Sequence, residues 1–177
     1  MSELNPLKLK AAPAMPSEEL LARIISRVQA HAMTMIYLAN HRSNQEKGDP
    51  KVGGHPTASS SALHLLSSLH LFGKNPQDYI ACKPHASPTD HANNYLQRLF
   101  RESDGSRMSD ERSRIAMKNL RHLSFEGEPV FQSYHSAFDP DHWNYFPSGS
   151  VGIPPVQALY VAHAYRMAHK HKFKVPT

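Results

Sequence analysis

The stretch Phe146-Pro147-Ser148-Gly149-Ser150-Val151-Gly152-Ile153-Pro154-Pro155 sets the reading of the whole chain. Small, permissive residues close on a proline pair, and an apolar-periodic run begins at Val156. Proline is favoured in the first helical turn, where its missing N–H is no loss. Ser148 to Gly152 is therefore expected to be a tight loop that delivers the chain into a helix N-terminus. There, unpaired backbone N–H groups and the positive end of the helix dipole can receive an anion. Taken alone, such a glycine-bearing loop is more often a plain loop-to-helix junction. The stretches on either side decide between the two.

Beyond this loop the spacing predicts a final helix from about Pro155 to Lys172, its basic end suited to the dipole. On the N-terminal side, residues 1–16 read as a mobile leader. Ser17 reads as an N-cap, with Glu18 and Glu19 in the first turn. Leu20, Leu21, Ile24, Ile25, Val28, Ala32, Met35, Ile36 and Ala39 then recur at helical spacing to about Asn40. A polar loop over 41–54 leads to a second helix marked by Ala62, Leu65, Leu66, Leu69 and Phe72 and closed by Gly73. Tyr79 to Lys83 reads as a short buried strand between turn signals. Ser87-Pro88 with Asp90 opens a third helix carrying Ala92, Tyr95, Leu96 and Leu99, and Ser109 caps a short one through Ile115, Met117 and Leu120. Leu123 to Asn144 has no clear period and is rich in proline, histidine and aromatics, a kind of long irregular segment that is more often functional than idle.

The chain has 177 residues and a formal net charge of +5, enough length for one domain with a real core. The positive excess is partly local (Arg166, Lys170, Lys172 and Lys174) and no block of like charges or recognition motif marks a nucleic-acid binder. The single cysteine, Cys82, excludes an internal disulfide framework and fits a reducing compartment. No apolar stretch resembles a signal peptide or a membrane span, so a soluble cytoplasmic protein is expected, with no nucleic-acid or membrane partner. One expected strand against several helices reads as part of an α/β domain.

Three loops each set a histidine beside turn or small residues: Gly53-Gly54-His55-Pro56, Pro84-His85-Ala86-Ser87-Pro88 and Ser133-Tyr134-His135-Ser136. A histidine at the end of a strand and the entrance of a helix sits where open α/β sheets bind ligands. An imidazole there can shuttle a proton or hold a phosphate or carbonyl oxygen. Of the thirteen histidines, His163, His169 and His171 are expected on the surface. His31, His64 and His70 read as packing or rim residues, and His41, His91, His122 and His142 carry no motif. Cys82 reads as a buried small hydrophobe.

Gly-Gly-His, His-Ala-Ser-Pro, Ser-Tyr-His and Phe-Pro-x-x-Ser-x-Gly-x-x-Pro, in that order, resemble the thiamine diphosphate enzymes of the transketolase type. The likeness is greatest to the single-chain first component of pyruvate dehydrogenase, and runs from about residue 20 to 172. It implies that residues 17–177 are the incomplete N-terminal part of a doubly wound parallel-sheet thiamine diphosphate-binding domain, mostly helical in the portion present. By position it implies catalytic roles for His55, His85 and His135 at the cofactor's reactive end. Tyr134, Ser150, Val151 and Gly152 take the place of cofactor contacts. The family's substrates are keto acids or sugar phosphates, and its cofactor lies between subunits, so a homodimer or a C-terminal half is the implied partner.

This chain departs from the family pattern at Lys83-Pro84, where Gln-Gly precedes His-Ala-Ser-Pro, at Ala58 in place of serine, and at Pro154 in place of a second glycine. It also has no Gly-Asp-Gly motif, through which the family holds Mg²⁺. Since a diphosphate needs a hard cation with oxygen ligands, the Mg²⁺ ligands are expected outside this chain, and the chain alone is expected to be inactive. The alternative is a non-catalytic remnant, or a binding module for a phosphorylated metabolite at the Ser150–Val156 helix entrance.

Overall fold

The computed structural model describes residues 15–43, 45–75, 78, 80, 82–122, 127–141 and 152–172. The first element, α1 (Glu18–Asn40), begins as its sequence requires: the Ser17 hydroxyl accepts from Leu20 N at 3.3 Å. Val28, Ala32, Met35, Ile36 and Ala39 form its buried stripe, and removal of Met35 or Ile36 from water contributes about 1.5–3 kcal/mol each. The stripe is shorter than expected, because Leu20 is left exposed and Leu21 half-buried. The C-terminal part of α1 packs into the main core with Leu63, Ala92, Phe100, Met117, Leu120 and Phe131.

The expected second helix starts earlier and is broken. Pro56 opens α2 (Pro56–Ser61), and α3 (Leu63–Ser68) follows after the ladder is interrupted at Ala62, whose N–H turns to Ser59 O at 3.3 Å. The serine run explains the break, since Ser61 Oγ donates to Ala58 O at 2.9 Å and competes with the backbone ladder. The chain then widens into a single π turn, Leu69–Gly73, closed at Gly73 as its sequence suggests.

Among the described residues there is no strand beyond isolated bridges such as Leu120 with Phe131. Tyr79 and Ala81 of the expected strand lie outside the described residues. Ile80 and Cys82 are buried, in a small cluster with Leu66 and Ala86. The architecture described is thus mostly helical. A 3-10 turn, Pro84–Ala86, feeds α4 (Ser87–Leu96), which packs on α1, α3 and α5. Ser87 stands inside α4 rather than capping it. Every residue from Ser87 to Asn94 is buried, although six of them, Ser87, Thr89, Asp90, His91, Asn93 and Asn94, are polar. A polar helix can be buried on all sides only if its side chains find partners.

Ser109 caps α5 (Asp110–Lys118) through Arg112 N at 3.2 Å, as expected. The chain after α5 returns along Phe131, with Arg121 N donating to Phe131 O at 2.7 Å. The last helix, α6 (Ile153–Lys170), starts two residues before the expected point, with Pro154 and Pro155 in its first turn. Pro154 is its buried residue. No helix among the described residues is long and apolar enough to cross a membrane.

Candidate functional site

The loops of His55 and His85 are tied together by hydrogen bonds that reach across the chain. Asn40, at the end of α1, pins the glycine pair: its Oδ1 accepts from Gly53 N at 2.7 Å and its Nδ2 donates to Gly54 O at 3.2 Å. Gly53 has no room for a side chain, because a Cβ would run into the Ile36 carbonyl. Gly54 adopts φ +82, which favours glycine. His55 follows directly, at the N-cap position of α2 and exposed.

Ser59 Oγ on α2 donates to the His85 carbonyl at 3.3 Å, while Thr89 Oγ1 on α4 donates back to Ser59 O at 2.9 Å. Arg121 completes the tie. Its Nη1 donates to Val52 O at 2.8 Å and its Nη2 to Pro84 O at 3.0 Å. Burial of the guanidinium is the main influence on Arg121 and moves its pKa below the ordinary value. His85 is exposed, like His55. Two solvent-facing imidazoles therefore stand on loops that share one hydrogen-bonded frame, as acid–base or oxygen-holding groups require.

His135 belongs to a different environment. Asp139 shapes its loop, accepting from Gln132 N at 2.9 Å and from Ser136 N at 3.1 Å. His135 is turned inward and buried, with Nε2 at 3.3 Å from Asp90 Oδ2, while Tyr134 beside it stays exposed. Asp90 Oδ1 accepts from His70 Nε2 at 2.6 Å, and Gln97 Nε2 donates to His70 Nδ1 at 3.4 Å. Burial pushes the Asp90 carboxyl up, but the bonds from His135 and His70 outweigh it and hold the group well below the usual carboxylate range.

A second buried pair adjoins the first. His91 Nδ1 lies 2.7 Å from Asp141 Oδ2, which also accepts from Asn94 Nδ2 at 2.9 Å. The His91 ring stacks on Phe131 with centroids 3.9 Å apart, and lies 4.9 Å from the His135 ring. Burial lowers the His91 pKa, yet the Asp141 carboxylate reverses that and leaves it raised. Asp139 is pushed up, chiefly by burial.

The frame thus joins the loops of His55 and His85, while His135 lies in a buried carboxylate–imidazole network. Ser150 and Val151 lie outside the described residues. Gly152 is exposed at the N-cap of α6, with open space where a side chain would be. The sequence reading missed Asp90, His91, Asp139 and Asp141 and took His70 as a packing or rim residue. Its available signals were the Asp90-His91 pair on a helix of polar residues and the Asp139-x-Asp141 repeat. Neither reveals its partner 45 to 50 residues away.

The chain is similar to pyruvate dehydrogenase E1 components. It is 29% identical to that of Pseudomonas aeruginosa over 85% of this chain, and 30% identical to that of Mycobacterium tuberculosis over 97% of it. The likeness to the Buchnera aphidicola protein is 25% over 86% of this chain. The chain spans 16% to 17% of the length of these relatives. No family model matches it, and no solved structure matches it significantly. The resemblance drawn from four short loops thus extends to distant relatives along most of the chain.

Proposed function

We propose that this chain forms part of a thiamine diphosphate-dependent 2-oxoacid dehydrogenase-like enzyme, within the N-terminal part of its doubly wound diphosphate-binding domain. The observation that carries the reading is the shared frame of the His55 and His85 loops. Ser59, Thr89 and Arg121 hold that frame together, and its two loops carry the histidines that match the family pattern. The likeness to E1 components over most of the chain supports the same reading.

The residues fit the cofactor at its reactive end. His55 and His85 offer exposed imidazoles on backbone fixed by Asn40 and Arg121, which is the preorganisation that acid–base groups need. Tyr134 and the loop of Ser150, Val151 and Gly152 would contribute further contacts. When bound, thiamine diphosphate supplies the carbanion equivalent that adds to a keto carbon and allows loss of a carboxylate or ketol fragment. The chain's own part is to orient the substrate and to exchange protons with its carbonyl oxygen through His55 and His85. His135, the third histidine of the family pattern, is buried against Asp90 and from there holds the Tyr134 loop in position. The Mg²⁺ ligands would come from a Gly-Asp-Gly-bearing segment outside the 177 residues of this chain.

The test is 2-oxoacid turnover by the native assembly that contains this chain. His55→Ala and His85→Ala should each lower kcat by about 10²–10⁴-fold. Wild-type rates in both variants would overturn the assignment. Turnover by the purified chain without any partner would overturn the split between this chain and its Mg²⁺-binding segment.

A further inference from the structure

Outside the His55–His85 frame, Asp90, His91 and Asp141 each offer one donor atom, and the three atoms lie within 4.8 Å of one another. All three residues are buried, with relative exposures of 0%, 0% and 3%. We propose that they hold one divalent transition-metal ion of the zinc class, a structural centre that fastens the 127–141 segment to α4.

One imidazole with two carboxylates is a donor set suited to borderline divalent ions. The His91 Nδ1–Asp141 Oδ2 separation of 2.7 Å is already close to ligand spacing. Bonds of about 2.0–2.1 Å in tetrahedral geometry place neighbouring donors roughly 3.3 Å apart, so a small opening admits the ion. An unsatisfied atom points the same way. Among the described residues, Asp141 Oδ1 is buried without a hydrogen-bond partner. Burying a polar atom without a partner is costly, so such atoms mark a place where something else binds.

The surroundings have the form of a ligand shell. His70 and His135 contact the Asp90 carboxylate, and Asn94 donates to Asp141. The Phe131 ring clamps His91 by stacking. Such outer partners orient metal ligands and are part of the site. A competing trio, Cys82, Asp90 and His135, shares Asp90. Cys82 Sγ is already turned to the Lys83 carbonyl at 3.6 Å, whereas Asp141 Oδ1 is buried with no partner, so the ion is assigned to Asp90, His91 and Asp141.

The experiment titrates the chelator-treated, full 177-residue chain with Zn²⁺ by calorimetry, followed by Co²⁺ spectra of the wild type. One equivalent should bind and raise the thermal midpoint. His91→Gln and Asp141→Asn should each weaken that binding at least about tenfold, while Cys82→Ser leaves it unchanged. Absence of stoichiometric binding would overturn the proposal. So would unchanged binding in His91→Gln and Asp141→Asn, which would put the ion on surface histidines such as His163 or His169. The Co²⁺ spectrum needs no variant and so does not depend on a variant's folding. A sulfur-to-cobalt charge-transfer band would place the ion on Cys82 and overturn the ligand set, whereas ligand-field bands without one support it.

Discussion

Arg121 Nη1 donates to the Val52 carbonyl at 2.8 Å across 69 residues of sequence, while its second nitrogen holds Pro84 O. This one fork joins the backbone before His55 to the backbone before His85. Arg121→Ala should cost about 1–3 kcal/mol, because it strands carbonyls that a charged donor had satisfied. Amide exchange at Gly54, His55 and His85 should accelerate with it. Arg121→Lys should recover only part of the loss, since an ammonium lacks the planar fork. Denaturant unfolding with hydrogen exchange measures both, and unchanged exchange in Arg121→Ala would remove the clamp from the account.

Gly53 should be the least replaceable glycine of the His55 loop. A Cβ there meets the Ile36 carbonyl, with Asn40 Oδ1 a further 2.9 Å contact. Gly53→Ala should destabilise the fold by about 1–3 kcal/mol through overpacking. Gly152→Ala provides the contrast: nothing lies within 4 Å of its added Cβ, so stability should hold. Thermal midpoints of the two variants compare the sites directly.

Exposure separates the histidines by stability. His55 and His85 face solvent, so His55→Ala and His85→Ala should shift unfolding free energy by no more than about 0.5 kcal/mol. His135→Ala should cost about 3 kcal/mol, because it withdraws a partner from a buried carboxylate. Urea unfolding of the three variants checks this, and a large loss in His55→Ala would recast it as a structural residue.

In the metal-free chain the buried ionisable groups define how stability follows pH. The folded Asp90 pKa lies well below its ordinary 3.8, so its stabilisation is present above that value and lost as pH falls through the depressed one. The folded His91 pKa is raised above 6.5, so its contribution is full below pH 6.5 and fades as pH rises through the folded value. Asp139, raised by burial, opposes Asp90: its contribution is full below 3.8 and fades as pH rises. Denaturant midpoints across pH should therefore fall at the alkaline side, and His91→Gln should flatten that limb.

Cys82 should resist alkylation in the folded chain. Burial, with Asp90 and Asp141 nearby, holds its thiol strongly toward the protonated form, which is not the nucleophile. Labelling should be slow until denaturant is added, and rapid modification of the native chain would contradict the described burial.

Local chemistry by itself determined most of the helices. Ser17 and Ser109 capped α1 and α5 as their side chains allow, the apolar period of α1 predicted Val28 to Ala39, and the proline pair opened α6. The order of four short loops also pointed to the relatives later found. Tertiary structure decided the rest. The break at Ala62 arose from serine side chains competing with the backbone. The burial of α4 drew His70 and His135 onto Asp90, and Asp141 onto His91, across 20, 45 and 50 residues. Caps and periods act within a few residues, so they are written locally. A buried charge takes its partner from whatever the folded chain brings within about 3 Å, and no local pattern records which residue that is.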